Sequence, residues 1–171
     1  MNEFAKALIS TAPDKELESK MHLFGQFIGE WNFEWAWFGD GNKEDAEKVK
    51  GEWIFSWVLE GTAIQDVWVC PSREERTLRP YSYKEYGTTT RFYNQQNDEW
   101  TVVYGNPNSV TMLIPHCEGD KIILEAQHLS SHRMRWVFSE ITENSFTWQN
   151  TRSDDDGVTW RVQGEMHVTR R

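Results

Sequence analysis

From Trp31 to Trp37 every second residue is aromatic (Trp31, Phe33, Trp35, Trp37), and the residues between are Asn32, Glu34 and Ala36. Successive side chains of a strand point to opposite faces, so strict alternation of this kind marks a strand with one buried face. Four large rings on one strand need a large concave surface to pack against, and a sheet closed on itself supplies one. The segment therefore predicts an all-β chain rolled into a barrel with its rings inside. Ten Trp among 171 residues exceed what such a core needs. Either the rings simply fill the interior or they line a ligand cavity.

The rest of the chain repeats the pattern. Residues 14–27 read as a helical lead-in, with Asp14 as N-cap and Leu17, Met21, Phe24 and Phe27 near helical spacing. After the loop that follows Gly39, Trp53, Phe55, Trp57 and Leu59 alternate again. Glu60-Gly61 then reads as a two-residue hairpin turn, and residues 62–70 run back. Residues 71–86 are the longest stretch without periodicity. Short strands follow at about 87–94, 99–105, 109–116, 121–128, 132–140, 145–152 and 158–169, separated by turn-forming residues such as Asn106-Pro107-Asn108. The expectation is one domain over residues 1–171: a helical lead-in (1–27) closing one end of a roughly ten-stranded antiparallel up-and-down barrel (28–171).

Pairing residues across each turn tests this expectation, because partners must share a face. Trp57 should oppose Ile64, Phe55 should oppose Asp66, and Trp53 should oppose Trp68. Tyr93 should face Trp100, Arg91 should face Val102, and Thr89 should face Tyr104. Further on the pairs are Tyr104 with Val110, Ile114 with Leu124, Leu124 with Trp136, Trp136 with Trp148, and Trp148 with Gly164. The opposite face carries Glu30, Asn32, Glu34, Glu125, Arg135, Arg161, Gln163 and Glu165, with Glu125 across from Arg135. Ile54, Val58, Ala63, Val67 and Val69 also point outward and need a cover. Either the N-terminal segment (Phe4, Leu8) or the second subunit of a homodimer would supply it.

Eighteen basic against 27 acidic residues give a formal net charge of −9. That disfavours nucleic acid and anionic membrane as main partners, since both select basic surfaces. No apolar run approaches the ~20 residues of a membrane span. The broken apolar patch of residues 1–13 does not read as a signal peptide, and two Cys are too few for a disulfide scaffold. The chain reads as soluble and cytoplasmic. It has no Gly-rich phosphate loop, no Cys pairs at zinc spacing and no Gly-x-Ser-x-Gly elbow, so no cofactor is expected.

Strand direction gathers the lead-in helix and the turns at 60–61, 95–98, 117–120 and 141–144 at a closed end. The mouth collects the loops at 39–50, 71–86, 105–109, 129–131 and 153–157. Inner residues expected near it are Trp37, Trp53, Trp68, Tyr104, His128, His132, Asn150 and Trp160. Asp66, Arg91 and His128 are out of place in an apolar filling, because a buried charge must be paired, hydrated or shifted in pKa. Asp66 and Arg91 sit on adjacent strands, either as a structural ion pair or as a polar anchor for ligand. His128 and His132 lack a third ligand at diagnostic spacing, so no metal is expected; His128 remains a candidate general base. Cys70, near the mouth, is a thiol whose proximity to a base the sequence does not establish. The expected ligand set is Trp37, Trp53, Asp66, Trp68, Arg91, Tyr104, His128, His132 and Trp160. The expected function is binding of a small, largely apolar or aromatic molecule with one polar or anionic group. The alternative is a lyase or isomerase using His128 or Asp66.

Residues 153–160, Ser-Asp-Asp-Asp-Gly-Val-Thr-Trp, match the Asp-box pattern Ser-x-Asp-x-Gly-x-Thr-Trp. The pattern specifies a rigid hairpin in which Asp caps turn amides, Gly takes the left-handed position and Trp packs beneath. A calcium loop lacks its later bidentate Glu.

Phe27-Ile28-Gly29-Glu30-Trp31, Gly51-Glu52-Trp53, residues 87–93 (Gly-Thr-Thr-Thr-Arg-Phe-Tyr), Trp100, Arg135-Trp136-Val137-Phe138, the Asp box and Glu165-Met166 together resemble an uncharacterised family of lipocalin-like (calycin) domains of unknown function. The resemblance implies a ten-stranded calycin-type barrel and no agreed catalytic residues. Haem-binding nitrobindin-type barrels are similar in architecture, and by that likeness His167 would be the candidate proximal ligand.

Overall fold

The computed structural model describes residues 2–78, 80, 84–129 and 131–171. Two helices, α1 (Glu3–Leu8) and α2 (Glu18–Gly25), and a short strand β1 (Ile9–Ser10) precede the sheet. Its ten long strands are β2 (Gly29–Trp37), β3 (Lys48–Val58), β4 (Ala63–Cys70), β5 (Glu85–Asn94), β6 (Glu99–Asn106), β7 (Ser109–Glu118), β8 (Lys121–Ala126), β9 (Arg133–Ser139), β10 (Ser145–Ser153) and β11 (Arg161–Arg170). Each of these pairs antiparallel with its neighbour in the chain, and β11 pairs with β2, so the barrel is closed and up-and-down. Closure leaves no long edge of unpaired amides.

The alternation in β2 is realised: Trp31, Phe33 and Trp35 are buried inside, while Trp37 emerges at the mouth, 47% exposed. Below them α2 plugs the other end. Leu17, Met21, Phe24 and Phe27 are all buried, as their spacing predicts. The helix itself is shorter than the sequence suggests. It begins at Glu18, and Asp14 instead accepts the Glu16 amide in a turn of its own. Trp31 ties plug to barrel: its indole nitrogen donates to the Phe27 carbonyl at 2.7 Å, and the Arg170 guanidinium lies 4.0 Å from its ring centroid.

The first hairpins keep the expected register. Trp57 faces Ile64, Phe55 faces Asp66 and Trp53 faces Trp68; Tyr93 faces Trp100, Arg91 faces Val102 and Thr89 faces Tyr104. The turn between β3 and β4 holds four residues rather than two. Leu59, Glu60 and Gly61 all have positive φ, and because this loop has the same midpoint the pairing is unchanged. In β7 the expected register is wrong by one residue: Tyr104 faces Thr111, and Leu124 faces Pro115. The physical cause is Asn106, whose side-chain oxygen accepts the Asn108 and Ser109 amides and tightens the turn. Leu113 is thereby buried, and Val110, Met112 and Ile114 are put outside, where they are exposed. In β10 the expected partners slide by two residues, so Trp148 faces Phe138 and Met166 while Asn150 faces Trp136 and Gly164. A two-residue slide preserves the face. Gly164 is required here, since a Cβ would stand 2.3 Å from the Trp35 ring.

On the outside, Glu125 and Arg135 face each other as expected, 3.1 Å apart. The apolar outer surface of β3 and β4 is covered in part by the N-terminal segment. Ile9 of β1 pairs with Val58, and Val58, Ala63 and Val69 are buried. Phe4 is not part of that cover, being 74% exposed. Beside Val69, Glu52 is buried on this outer face and accepts from the Arg73 backbone and guanidinium and from Arg171. The Arg73 hydrogen bonds hold its carboxyl down at about 2, against desolvation, from an ordinary 4.5. A depressed carboxylate stabilises the fold above its unfolded pKa, and that contribution is lost as pH falls through the folded value. Glu52→Gln should therefore lower stability by about 2–3 kcal/mol at pH 7. Urea titrations of the two proteins should converge between pH 4.5 and 2. Parallel curves across that window would refute the assignment.

Candidate functional site

Above the plug the barrel opens into a cavity of about 320 Å³. Its walls are six indoles, Trp35, Trp37, Trp53, Trp68, Trp136 and Trp148, with Tyr104 and Met166. They come from strands on all sides of the barrel, and their rings interlock. Trp35 meets Trp68 edge-on at 6.0 Å, Trp136 lies 5.6 Å from Trp148, and Tyr104 meets Trp136 edge-on at 5.2 Å. The indole nitrogens of Trp53, Trp136 and Trp148 are buried and find no acceptor among the described residues.

Polar wall residues come mainly from the neighbouring strands β5 and β6. Glu85, Thr89, Tyr104 and Asn150 are the polar residues among those described on the wall. Glu85 accepts from the Tyr104 hydroxyl and, at 2.8 Å, from the Asn106 amide. Burial pushes the Glu85 carboxyl above its ordinary range, opposed by the Asn106 donor, and burial raises the Tyr104 phenol as well. Gly87 makes this corner possible, because a Cβ there would stand 2.4 Å from the Tyr104 hydroxyl.

The expected site residues fall into three groups. Trp37, Trp53, Trp68 and Tyr104 share the cavity wall, with Asn150. Asp66 and Arg91 form a buried ion pair at 2.5 Å, with side chains 0% and 1% exposed. Neither belongs to the described lining; the Arg91 guanidinium lies over the rings of Phe24 in the plug and Phe55, on the helix side of the barrel. His128, His132 and Trp160 lie off the described wall. His128 is exposed in a left-handed turn conformation, since β8 ends at Ala126 rather than 128. His132 contacts the Ser131 hydroxyl. Trp160 packs in the Asp box beneath Arg135, a residue of the outer face. The Asp box itself is built as its pattern specifies: Asp155 accepts the Thr159 amide, Gly157 has φ +89°, and Trp160 donates to the Gly157 carbonyl.

Cys70 is fully buried, and burial drives its thiol far above the ordinary range, which makes it a poor nucleophile. His167, the candidate proximal ligand, is exposed on the outer face opposite Glu34 and does not face the cavity. No cluster of metal-ligating side chains occurs among the described residues, and none of their helices is long and apolar enough to cross a membrane.

Glu85 lies in the stretch without periodicity and is absent from the expected ligand set. Its parity with Gly87, Thr89 and Arg91 is the signal that would have put it on the inner face. Trp136 and Trp148, inner-face residues by the expected pairing, also stand on the wall although they are not in the expected ligand set.

The chain matches no protein-family model and no curated protein. Among solved structures it is similar to the S-type phycobiliprotein lyase CPES from Guillardia theta. The two are 10% identical, with a TM-score of 0.57 over 89% of this chain and 92% of that one. At this identity the likeness carries the fold alone, a lipocalin-like ten-stranded barrel.

Proposed function

We propose that this protein binds a small, largely apolar or aromatic molecule, with one polar group, inside the barrel. The observation that carries the reading is the cavity: indole walls on every side and polar groups converging at Glu85 and Tyr104. Pockets for small molecules have this composition, a broad apolar wall and a few placed polar groups. The likeness to a phycobiliprotein lyase adds a linear tetrapyrrole to the ligands to be tried, with biliverdin as the probe of that class.

A lyase or isomerase in the same cavity is the second reading. One observation favours it: a buried carboxyl, raised in pKa, holds the hydroxyl of a phenol on the wall. Proton transfer would then fall to Glu85 and Tyr104 rather than to His128 or Asp66.

Native mass spectrometry of freshly purified protein, followed by titration with 1-aminoanthracene, tests the binding reading. The expected result is a bound mass or a saturable rise in probe emission, with competition by biliverdin if the tetrapyrrole class is right. Trp148→Leu should weaken the probe about tenfold, the scale of one lost aromatic contact. No bound mass and no saturable emission would refute the reading. Chemical conversion of a co-purified molecule would move the case to the enzyme.

A further inference from the structure

On the outside of β5, β6 and β7, Thr90, Val103 and Met112 are paired in one row. The row toward the plug holds Phe92 and Thr101, and the row toward the mouth holds Gly105 and Val110. No Asp, Glu, Lys or Arg stands on these rows or on the β4 residues paired with them. Phe92 and Met112 are 43% exposed and Val110 is 76% exposed, so the face is apolar and open. A contiguous patch of this kind marks a contact surface.

The face also has a knob and a hollow. Ala63 and Thr101, small residues on either side of Phe92, leave its ring standing proud. At Gly105 the surface is open, since a Cβ there would meet nothing closer than a Val110 methyl at 4.0 Å. Ring and hollow stand on adjacent strands, about 13 Å apart along them and about 5 Å across. The Thr90–Val103 pair lies midway. Consider a two-fold axis lying in the interface through that pair, at right angles to the line from ring to hollow. It sets the Phe92 of each copy over the Gly105 of the other. That line runs about 20° off the strands, so the two faces cross at about 40°, near the aligned packing of sheets.

We infer that this face is where two copies of the chain meet, Phe92 of each seated in the Gly105 hollow of the other. Charge selects the occupant. At net −9 two copies repel except where neither presents a charge, whereas a basic partner would be drawn to the acidic surface elsewhere. The second subunit expected from the sequence on β3 and β4, which β1 partly covers, is thereby moved to β5–β7. The outside of a barrel is convex, so the contact is narrow and the dimer weak. The inference is independent of any ligand in the cavity.

Sedimentation velocity of the full chain at pH 7, from about 5 to about 500 µM, tests it. The mean mass should rise from one chain toward two. Raising NaCl from about 50 to about 500 mM should tighten the dimer at least about threefold, because screening removes the repulsion between like charges. Phe92→Glu should weaken it at least about tenfold, and Gly105→Phe, which fills the hollow, should do the same. Wild type that stays monomeric throughout overturns the inference, as does a dimer unmoved by Phe92→Glu or one that salt dissociates. A monomer that instead floats with phosphatidylcholine vesicles gives the face to lipid and equally overturns it. The wild-type series in concentration and salt needs no variant, so it decides even if a substituted chain folds poorly.

Discussion

Arg91→Met should lower the unfolding free energy by about 3–5 kcal/mol, the scale for stranding one charge of a fully buried pair. Asp66 is 0% exposed, and its second oxygen already lacks a partner among the described residues. Removing the guanidinium leaves that carboxylate with neither solvent nor counter-charge. Adding Asp66→Asn removes the stranded charge, and the double variant should recover at least half of the loss. Urea unfolding with linear extrapolation measures both. A single-variant loss below about 1 kcal/mol would mean that water already reaches Asp66, and the buried-pair account would fall. The same variants sort structure from binding. Because Arg91 lies on the plug side of the described cavity wall, folded Arg91→Met should bind 1-aminoanthracene within about threefold of wild type. A larger loss would place Arg91 in contact with ligand.

Phe27→Ala is the second large effect, also about 3–5 kcal/mol. The ring is 1% exposed and packs between three others, 5.8 Å from Phe55, 5.2 Å from Phe138 and 4.9 Å from Phe146. It joins the α2 plug to strands on opposite sides of the barrel, so the space it leaves cannot be closed by moving one side chain. The matched control is Phe4→Ala. That ring is 74% exposed on α1 and should change stability by less than about 0.5 kcal/mol. If the two variants unfold alike, α2 is not an integral plug.

Much of this architecture is legible in the chain because period-2 alternation is a local property. Trp31, Phe33 and Trp35 declare their face without knowledge of any partner strand. The same holds for Trp53 and Phe55, and the short loop around Glu60 fixes the register of its hairpin whether it holds two residues or four. The Asp box is equally local, since the hydrogen bonds that shape its turn, Ser153 to Asp155, Thr159 to Asp155 and Trp160 to Gly157, close within residues 153–160.

Register fails where a side chain rather than the hydrophobic pattern sets the turn. At residues 106–109 the Asn106 oxygen decides, and a reading that maximises buried apolar residues turns Val110 and Ile114 inward when they are exposed. The site is less legible still. Alternation names which side chains point inward, but not how far each lies from the mouth or which is open to the cavity. Asp66 and Arg91 are inner residues by parity, as Glu85 is. Only packing against Phe24 and Phe55 seals the first two away from the cavity, and only the early start of β5 brings the third to its wall.

By itself, then, the sequence determined a closed antiparallel barrel with an aromatic interior and a helical plug, because those features follow from side-chain periodicity along single strands. Tertiary structure alone decided that the interior keeps a cavity, that its buried charges cancel below that cavity, and that an acid stands on its wall. Those facts depend on distances between residues far apart in the chain, Asp66 to Arg91 and Glu85 to Tyr104, which no local pattern encodes.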